Sequence, residues 1–467
     1  MQLNDLPPEI IQQIFRQIPP TRDSLSTTSP VCKTWREIIL PLLFSSVRLF
    51  KQDQNSFIKR IIDETNDATP YSTESKLSSY VRRLVVCRPM DEQEIGELGL
   101  AIQIMGNLEH ITWDTVPLSS MGWNNTIGLL QQRSPQLRSL QLILTQDASA
   151  IKLAGGVGPK LLLHQAEGRE TDEHNDSEQV IAFHNLRKLS IKFDESSHGG
   201  MSEEFPPEIL YLIRGARSIE SLHLDFERIE ESHYQAIDEI FTSLSSDYFP
   251  DLSSIQIVSS RLLHIDHFGG PEVRRFIARH NQLKRVIITS TRCPDPNPPE
   301  TITARDVEII MPSVRYFGGT PSGVGVFLQS SLAGQLEGLE LSVHFKEILQ
   351  TRVPELSRLK KLLIRSYYCQ NRGNRAWTTI LRVLDQLASK TLCLRELTIR
   401  VDSLWRGKYD SHNLPKLPHG LTQLPNLRRL TIVHREGSLR NQDIRGHIVR
   451  EFPRLELVIN WEVGSKK

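Results

Sequence analysis

Past residue 80 the chain repeats one short pattern: an apolar residue, two of any kind, an apolar residue, one of any kind, and a third apolar residue. It occurs as Val81/Leu84/Val86, Leu108/Ile111/Trp113, Leu137/Leu140/Leu142, Leu186/Leu189/Ile191, Ile219/Leu222/Leu224, Leu252/Ile255/Ile257 and Leu283/Val286/Ile288. It continues as Leu336/Leu339/Leu341, Leu359/Leu362/Ile364, Leu394/Leu397/Ile399 and Leu427/Leu430/Ile432, with weaker copies at Val314/Phe317 and around Leu455. The last two apolar positions alternate like one face of a strand, and the first turns the chain inward ahead of it. Turn residues often precede the triplet, as in Pro135-Gln136, Pro250-Asp251 and Pro425-Asn426. Between triplets lie stretches of helical period. Ile237, Ile240, Phe241 and Leu244 share one helical face, and Trp377, Ile380, Leu381, Leu384 and Leu387 share another. Strand then helix is the predicted unit, with successive starts mostly 22 to 35 residues apart. Each unit carries an apolar face that it cannot bury alone, so neighbours must stack.

The pattern resembles a leucine-rich-repeat solenoid, which implies an α/β fold with parallel strands along one face and helices along the other. The polar residue, usually Asn, that such repeats place three positions past the triplet's last apolar residue is missing. Thr145, Asp194, Glu227, Ser260, Thr291, Tyr367, Asp402 and Arg435 stand there instead, so the array is read as irregular and divergent. Its longest interval, Leu137 to Leu186, holds the polar run 167–179. That run cannot offset its ordering entropy by burial, and a disordered insertion is expected at 165–180. Pro294-Asp295-Pro296-Asn297-Pro298-Pro299 favours an extended loop.

A different pattern occupies Leu6 to Phe44. Asn4 and Asp5 are helix-start residues, Pro7 and Pro8 suit a first turn, and Ile10, Ile14 and Ile18 repeat at helical spacing with Ile11 and Phe15 beside them. Pro19-Pro20 ends that helix. After a turn with Asp23 and Leu25, Ser29-Pro30 opens a last helix bearing Val31, Trp35, Ile38, Ile39, Leu42 and Leu43. The apolar stripe is wider than a short exposed helix leaves in water, and about forty residues is little to fold alone. A partner is implied.

Leu6-Pro7-x-Glu9-Ile10, Ile14-Phe15, Val31-Cys32-Lys33-x-Trp35-Arg36, Leu43-Phe44 and Val47 resemble the signature of the F-box family. Asp23-Ser24-Leu25 and Pro30 depart from it. The resemblance implies a three-helix F-box that docks on a Skp-type adaptor and, through it, on the cullin and RING subunits of a ubiquitin ligase. The adaptor-binding residues it points to are Leu6, Pro7, Ile10, Ile14, Leu25, Val31 and Trp35. The expected organisation is an F-box domain at 1–50, a linker at 51–79 with a helical part near Phe57 to Ile62, and a repeat solenoid at 80–467.

Charge narrows the partners. With 56 Lys plus Arg against 55 Asp plus Glu, the formal net charge is +1, so no global field draws the chain to nucleic acid or membrane. No signal peptide or long apolar run is present, and a cytoplasmic or nuclear protein is expected. Cys32, Cys87, Cys293, Cys369 and Cys393 are odd in number and widely spaced. They are read as reduced, mostly buried thiols, with no disulfide framework and no zinc pair.

Catalytic and cofactor constellations are lacking. Gly155-Gly156-Val157-Gly158-Pro159-Lys160 has no GK[ST] ending, and Pro159 removes a backbone donor where a phosphate cradle needs one. Gly318-Gly319 through Gly323 and Gly325 is not framed as a dinucleotide fingerprint, and His264-Ile265-Asp266-His267 has no companions at metal-ligand spacing. A non-catalytic protein without cofactor is expected. Strand alternation does point charged residues outward from Leu283 onward: Arg285, Lys361, Arg365, Arg400 and Arg429 against Glu340 and Glu396. These basic positions are the candidate contact for an acidic or phosphorylated substrate. Two classes stay open: a substrate receptor of a ubiquitin ligase, and a non-ligase scaffold or repeat-based regulator using the same adaptor contact.

Overall fold

The computed structural model describes residues 10, 13, 33–50, 54–66, 76–87, 90–117, 130, 134–145, 183–194, 207–226, 235–259, 270–290, 302–343, 353–367, 376–402, 417–434, 446 and 448–461. The insertion expected at 165–180, the proline-rich loop at 294–299 and the glycine run at 155–160 lie outside them. The chain divides into two compact units, Met1–Ile219 and Glu220–Lys467.

The first unit contains helices α1 (Lys33–Phe44), α2 (Gln54–Asn66), α3 (Glu92–Ile104) and α4 (Pro207–Gly215). Its strands are β1 (Ser46–Leu49), β2 (Arg83–Val86), β3 (His110–Pro117), β4 (Ser139–Thr145) and β5 (Lys188–Asp194). They pair in chain order, all parallel. The second and third triplet positions fall into register as Leu84–Ile111–Leu140–Leu189 and Val86–Trp113–Leu142–Ile191. All eight side chains are buried, each contributing roughly 1.5–3 kcal/mol on leaving water. Strand β1 continues both columns with Val47 and Leu49. The C-terminal end of the 1–50 segment thus joins the sheet of the repeats, and α2, covering the helical part expected near Phe57 to Ile62, packs on α3.

The second unit contains β6 (Ser221–Phe226), α5 (Gln235–Ser243), β7 (Ser254–Ser259), α6 (Pro271–Arg279), β8 (Arg285–Ser290), α7 (Ala304–Ile310), β9 (Tyr316–Gly319), α8 (Pro321–Gln329) and β10 (Gly338–Val343). It continues with β11 (Lys361–Tyr367), α9 (Ala376–Ala388), β12 (Glu396–Asp402), α10 (Leu417–Thr422), β13 (Arg429–His434) and β14 (Glu456–Trp461). Parallel neighbours need a crossover, and the intervening helices provide it. The strands pair in chain order, and α5, α6, α7 and α8 pack each on the next, as α9 does on α10. Ile237, Ile240, Phe241 and Leu244 are buried as their spacing predicts, and so are Ile380, Leu384 and Leu387, while Leu381 is half-buried. The weak sequence copies are complete strands: Val314/Phe317 leads into β9, and Leu455 precedes β14.

Most triplets open with the same turn. The N–H of the first residue donates to the carbonyl three residues back: Leu252 to Phe249, Leu283 to His280, Val314 to Met311, Leu394 to Thr391 and Leu427 to Leu424. Pro250, Pro312 and Pro425 occupy the second turn position, where a fixed φ costs nothing. The missing Asn past the triplet has a substitute one residue before it. Asn107 donates to the Ser79 carbonyl at 2.7 Å, Gln282 to Phe249 at 2.9 Å, Gln335 to Val314 at 3.0 Å and Asn426 to Leu392 at 2.7 Å. These amides bind each turn to its predecessor.

Candidate interaction surfaces

Of the residues expected at the adaptor contact, Leu6, Pro7, Ile14, Leu25 and Val31 lie outside the described residues. Ile10 is helical and 41% exposed, and Trp35 belongs to α1. Where α1 ends, Ser45 fixes it to the first repeat. Its hydroxyl donates to the Leu42 carbonyl at 2.9 Å, and its own carbonyl accepts the N–H groups of Arg82 at 3.1 Å and Arg83 at 2.9 Å. Ile39 on α1 is fully buried.

The strand-face residues of the second unit fall into lateral rows. Register places Arg285, Tyr316, Gly338, Lys361, Glu396, Arg429 and Glu456 in one row, and Ser342, Arg365, Arg400 and Val433 in another. Arg365 and Arg400 are therefore neighbours on adjacent strands, while Arg285 sits three strands before β11. In the first row acids answer the bases. Lys361 Nζ is 2.9 Å from Glu396 Oε2, and Arg429 Nη2 is 3.2 Å from Glu456 Oε1. The Arg285 guanidinium lies over the Tyr316 ring at 3.8 Å and reaches Glu340 at 4.0 Å.

Glu340 is a buried carboxylate, admitted because its lateral neighbour Gly318 has no side chain. A Cβ on Gly318 would meet Glu340 Cβ and Ile287 Cγ1 at 3.0 Å each. Burial, and then the charge of Glu340, push the Tyr316 phenol above its ordinary pKa, with Arg285 and Arg365 opposing. Gly318 is thus a packing residue, and β9 and α8 do flank its glycine run, contrary to the expectation that no strand and helix frame it. Tyr316 and Glu456 escaped the sequence reading because they belong to its two weak copies. Extending the triplet period through Val314 and Leu455 would have found both.

Two thiols lie among the described residues. Cys87 is half-buried, and burial first, then Asp114, push its pKa up against Arg48. Cys393 is exposed on the turn before β12, contrary to the expectation of mostly buried thiols, because it precedes Leu394 at the outward position of the turn. Cys32, Cys293 and Cys369 lie outside the described residues. No group of three or more His, Cys, Asp or Glu able to hold a metal occurs among the described residues. No helix among them is long and apolar enough to cross a membrane.

The F-box-like family model matches residues 3–49, which is 47 of the 467 residues. The N-terminal segment is an F-box-like domain, and the chain carries it directly ahead of parallel, helix-linked strands. No curated protein matches the chain.

Proposed function

We propose that the chain is the substrate-recognition subunit of a cullin–RING ubiquitin ligase. Its F-box-like domain binds a Skp-type adaptor, and its repeats, read as a divergent leucine-rich-repeat array, bind the protein to be modified. The observation that carries this reading is the F-box-like match at residues 3–49. F-box domains bind adaptors of this kind, and a chain that recruits needs no catalytic residue of its own. The pairing of β1 with β2 supports it, because it makes the F-box-like segment continuous with the first of the repeats. The action is placed in the cytoplasm or nucleus.

Affinity purification of the tagged chain tests the reading. A ligase receptor brings down adaptor, cullin and RING subunits together, and its bound substrate accumulates when the cullin is inhibited. Recovery of the adaptor alone would identify a scaffold instead. The strand-face bases Arg285, Lys361, Arg365, Arg400 and Arg429 are one candidate substrate contact. On that face, however, an incoming acid at Lys361 or Arg429 must displace a carboxylate already in place.

A further inference from the structure

The residue just ahead of each strand forms a separate row along the turn edge of the second unit. Its backbone is fully used. The Glu337 carbonyl accepts the N–H groups of Lys360 and Lys361, the Lys360 carbonyl those of Arg395 and Glu396, and the Arg395 carbonyl those of Arg428 and Arg429, all at 2.9–3.1 Å. Only side chains are left to meet a ligand there, and ahead of β11, β12 and β13 they are basic. Lys360, Arg395 and Arg428 stand just ahead of three successive strands, about 4.8 Å apart laterally, and all are exposed. With Arg358 from the preceding turn, Glu337 and Cys393 they line a groove of about 490 Å³, a volume in the range of sites that take a ligand group.

The charge in this groove is unbalanced, unlike that on the strand face. Its one carboxylate, Glu337, is shared between Lys360 at 3.1 Å and Arg315 at 3.3 Å. The hydrogen bond from Lys360, its charge and then Arg315 hold Glu337 below the usual carboxylate range. Among the described residues no ion pair engages Arg358, Arg395 or Arg428. Asn426, which ties its turn to the Leu392 carbonyl, fixes the spacing of the two turns that carry Arg395 and Arg428. Three arginines without a built-in acid, on a rigid edge, suit the fork geometry of a phosphate dianion.

We infer that the turn-edge groove of Arg358, Lys360, Arg395 and Arg428 binds a phosphate group carried by a protein segment. In the reading proposed above, on which this inference rests, that segment belongs to the substrate. A protein carrier is favoured over a nucleic acid because, among the described residues, no aromatic side chain lines the groove for bases to stack on, and because the chain as a whole is nearly neutral.

The test uses the full chain, a phosphoserine peptide pool with randomised flanks, its unphosphorylated twin, inorganic phosphate and a duplex RNA. Binding is read by fluorescence anisotropy, and site occupancy by protection of Cys393 from iodoacetamide in mass spectrometry. The phosphorylated pool should bind at least tenfold tighter than its twin and protect Cys393. Arg395→Glu with Arg428→Glu should lose at least tenfold of that affinity, and Arg395→Gln with Arg428→Gln should lose a smaller part at an unchanged melting temperature. Four results would overturn the inference: equal binding of the two pools, indifference to both double variants, protection by inorganic phosphate equal to that by the phosphorylated pool, or tighter binding of RNA. Adaptor capture, measured on the same preparations, should survive both double variants. Its absence from the unsubstituted chain would defeat the ligase reading while leaving the phosphate result to stand on its own.

Discussion

The ring of Tyr316 lies across Gly338, in the position a side chain on Gly338 would occupy: a Cβ built there falls within contact of the ring carbons Cγ, Cδ2 and Cε2. The two residues are lateral partners on β9 and β10. Tyr316 in turn supports the Arg285 guanidinium at 3.8 Å. Three strands are thereby joined by one stack whose central requirement is a missing methyl group.

Gly338→Ala should accordingly force the ring out and cost about 1–3 kcal/mol, the usual range for overpacking. In a Tyr316→Ala background the same change should cost much less, because the obstructing ring is gone. Chemical denaturation of the four proteins of this cycle measures the coupling. Equal costs in both backgrounds would show that the ring and the glycine do not depend on each other.

The strand-face bases should differ in weight. Lys361 and Glu396 are both well exposed, and such pairs contribute about 0.2–1 kcal/mol. Arg285 faces a buried carboxylate, and withdrawing a charge partner from a buried group costs more than breaking a solvated pair. Arg285→Ala should therefore exceed the roughly 1 kcal/mol ceiling of exposed pairs, while Lys361→Ala stays beneath it, and added salt should weaken only the second. Similar losses at both sites in denaturant titrations would show that Glu340 is held mainly by other groups.

The strand columns were legible in the sequence because a residue pointing into a parallel sheet is buried whatever its neighbours. Leu339, Leu362, Leu397 and Leu430 announce themselves one by one. What the strand face does with charge was less legible. Whether Arg429 is available depends on Glu456, which lies one repeat further along the chain and only becomes its neighbour through register. The amide ties were missed for a related reason. Asn107, Gln282 and Asn426 look like ordinary turn residues until the preceding turn, 28 to 34 residues earlier, is brought beside them. The basic turn edge was hidden because its members sit between the triplet's first and second apolar positions, where neither strand alternation nor helical period assigns a direction.

At the N-terminus, the double change Leu6→Ala and Pro7→Ala should abolish adaptor capture. A large apolar side chain buried in a contact or in the domain's own core loses roughly 2–5 kcal/mol on truncation, and each 1.4 kcal/mol is tenfold in affinity. The repeats should keep their stability, since β1 and Ile39 still anchor α1 to the first unit. Pull-down with purified adaptor, paired with a thermal melt of the same sample, separates the two effects. Retained capture would remove these residues from the interface and weaken the ligase reading with them.

Acid should destabilise the second unit through His280. This side chain is fully buried and uses both ring nitrogens: Nε2 accepts the Phe249 N–H at 3.0 Å, so Nδ1 carries the proton and donates to the Phe276 carbonyl at 2.7 Å. Tyr248, Phe249 and Phe276 pack around the ring at centroid distances of 5.3, 5.8 and 4.3 Å. Burial lowers its pKa, the bond to Phe276 opposes that, and the Arg279 charge adds to the lowering. The folded state therefore holds fewer protons here than the unfolded chain, whose imidazole titrates near pH 6.5. The stabilisation is complete above about pH 6.5 and is lost as pH falls from there toward the lower folded pKa. Urea midpoints should drop between pH 7.5 and pH 5.5, and the Phe249 amide should exchange faster at the lower pH once its base-catalysed rate is corrected. His280→Ala should cost about 1–3 kcal/mol at neutral pH by leaving the Phe249 N–H without its acceptor, and should flatten the dependence. A variant that keeps the full acid sensitivity would assign it to another group.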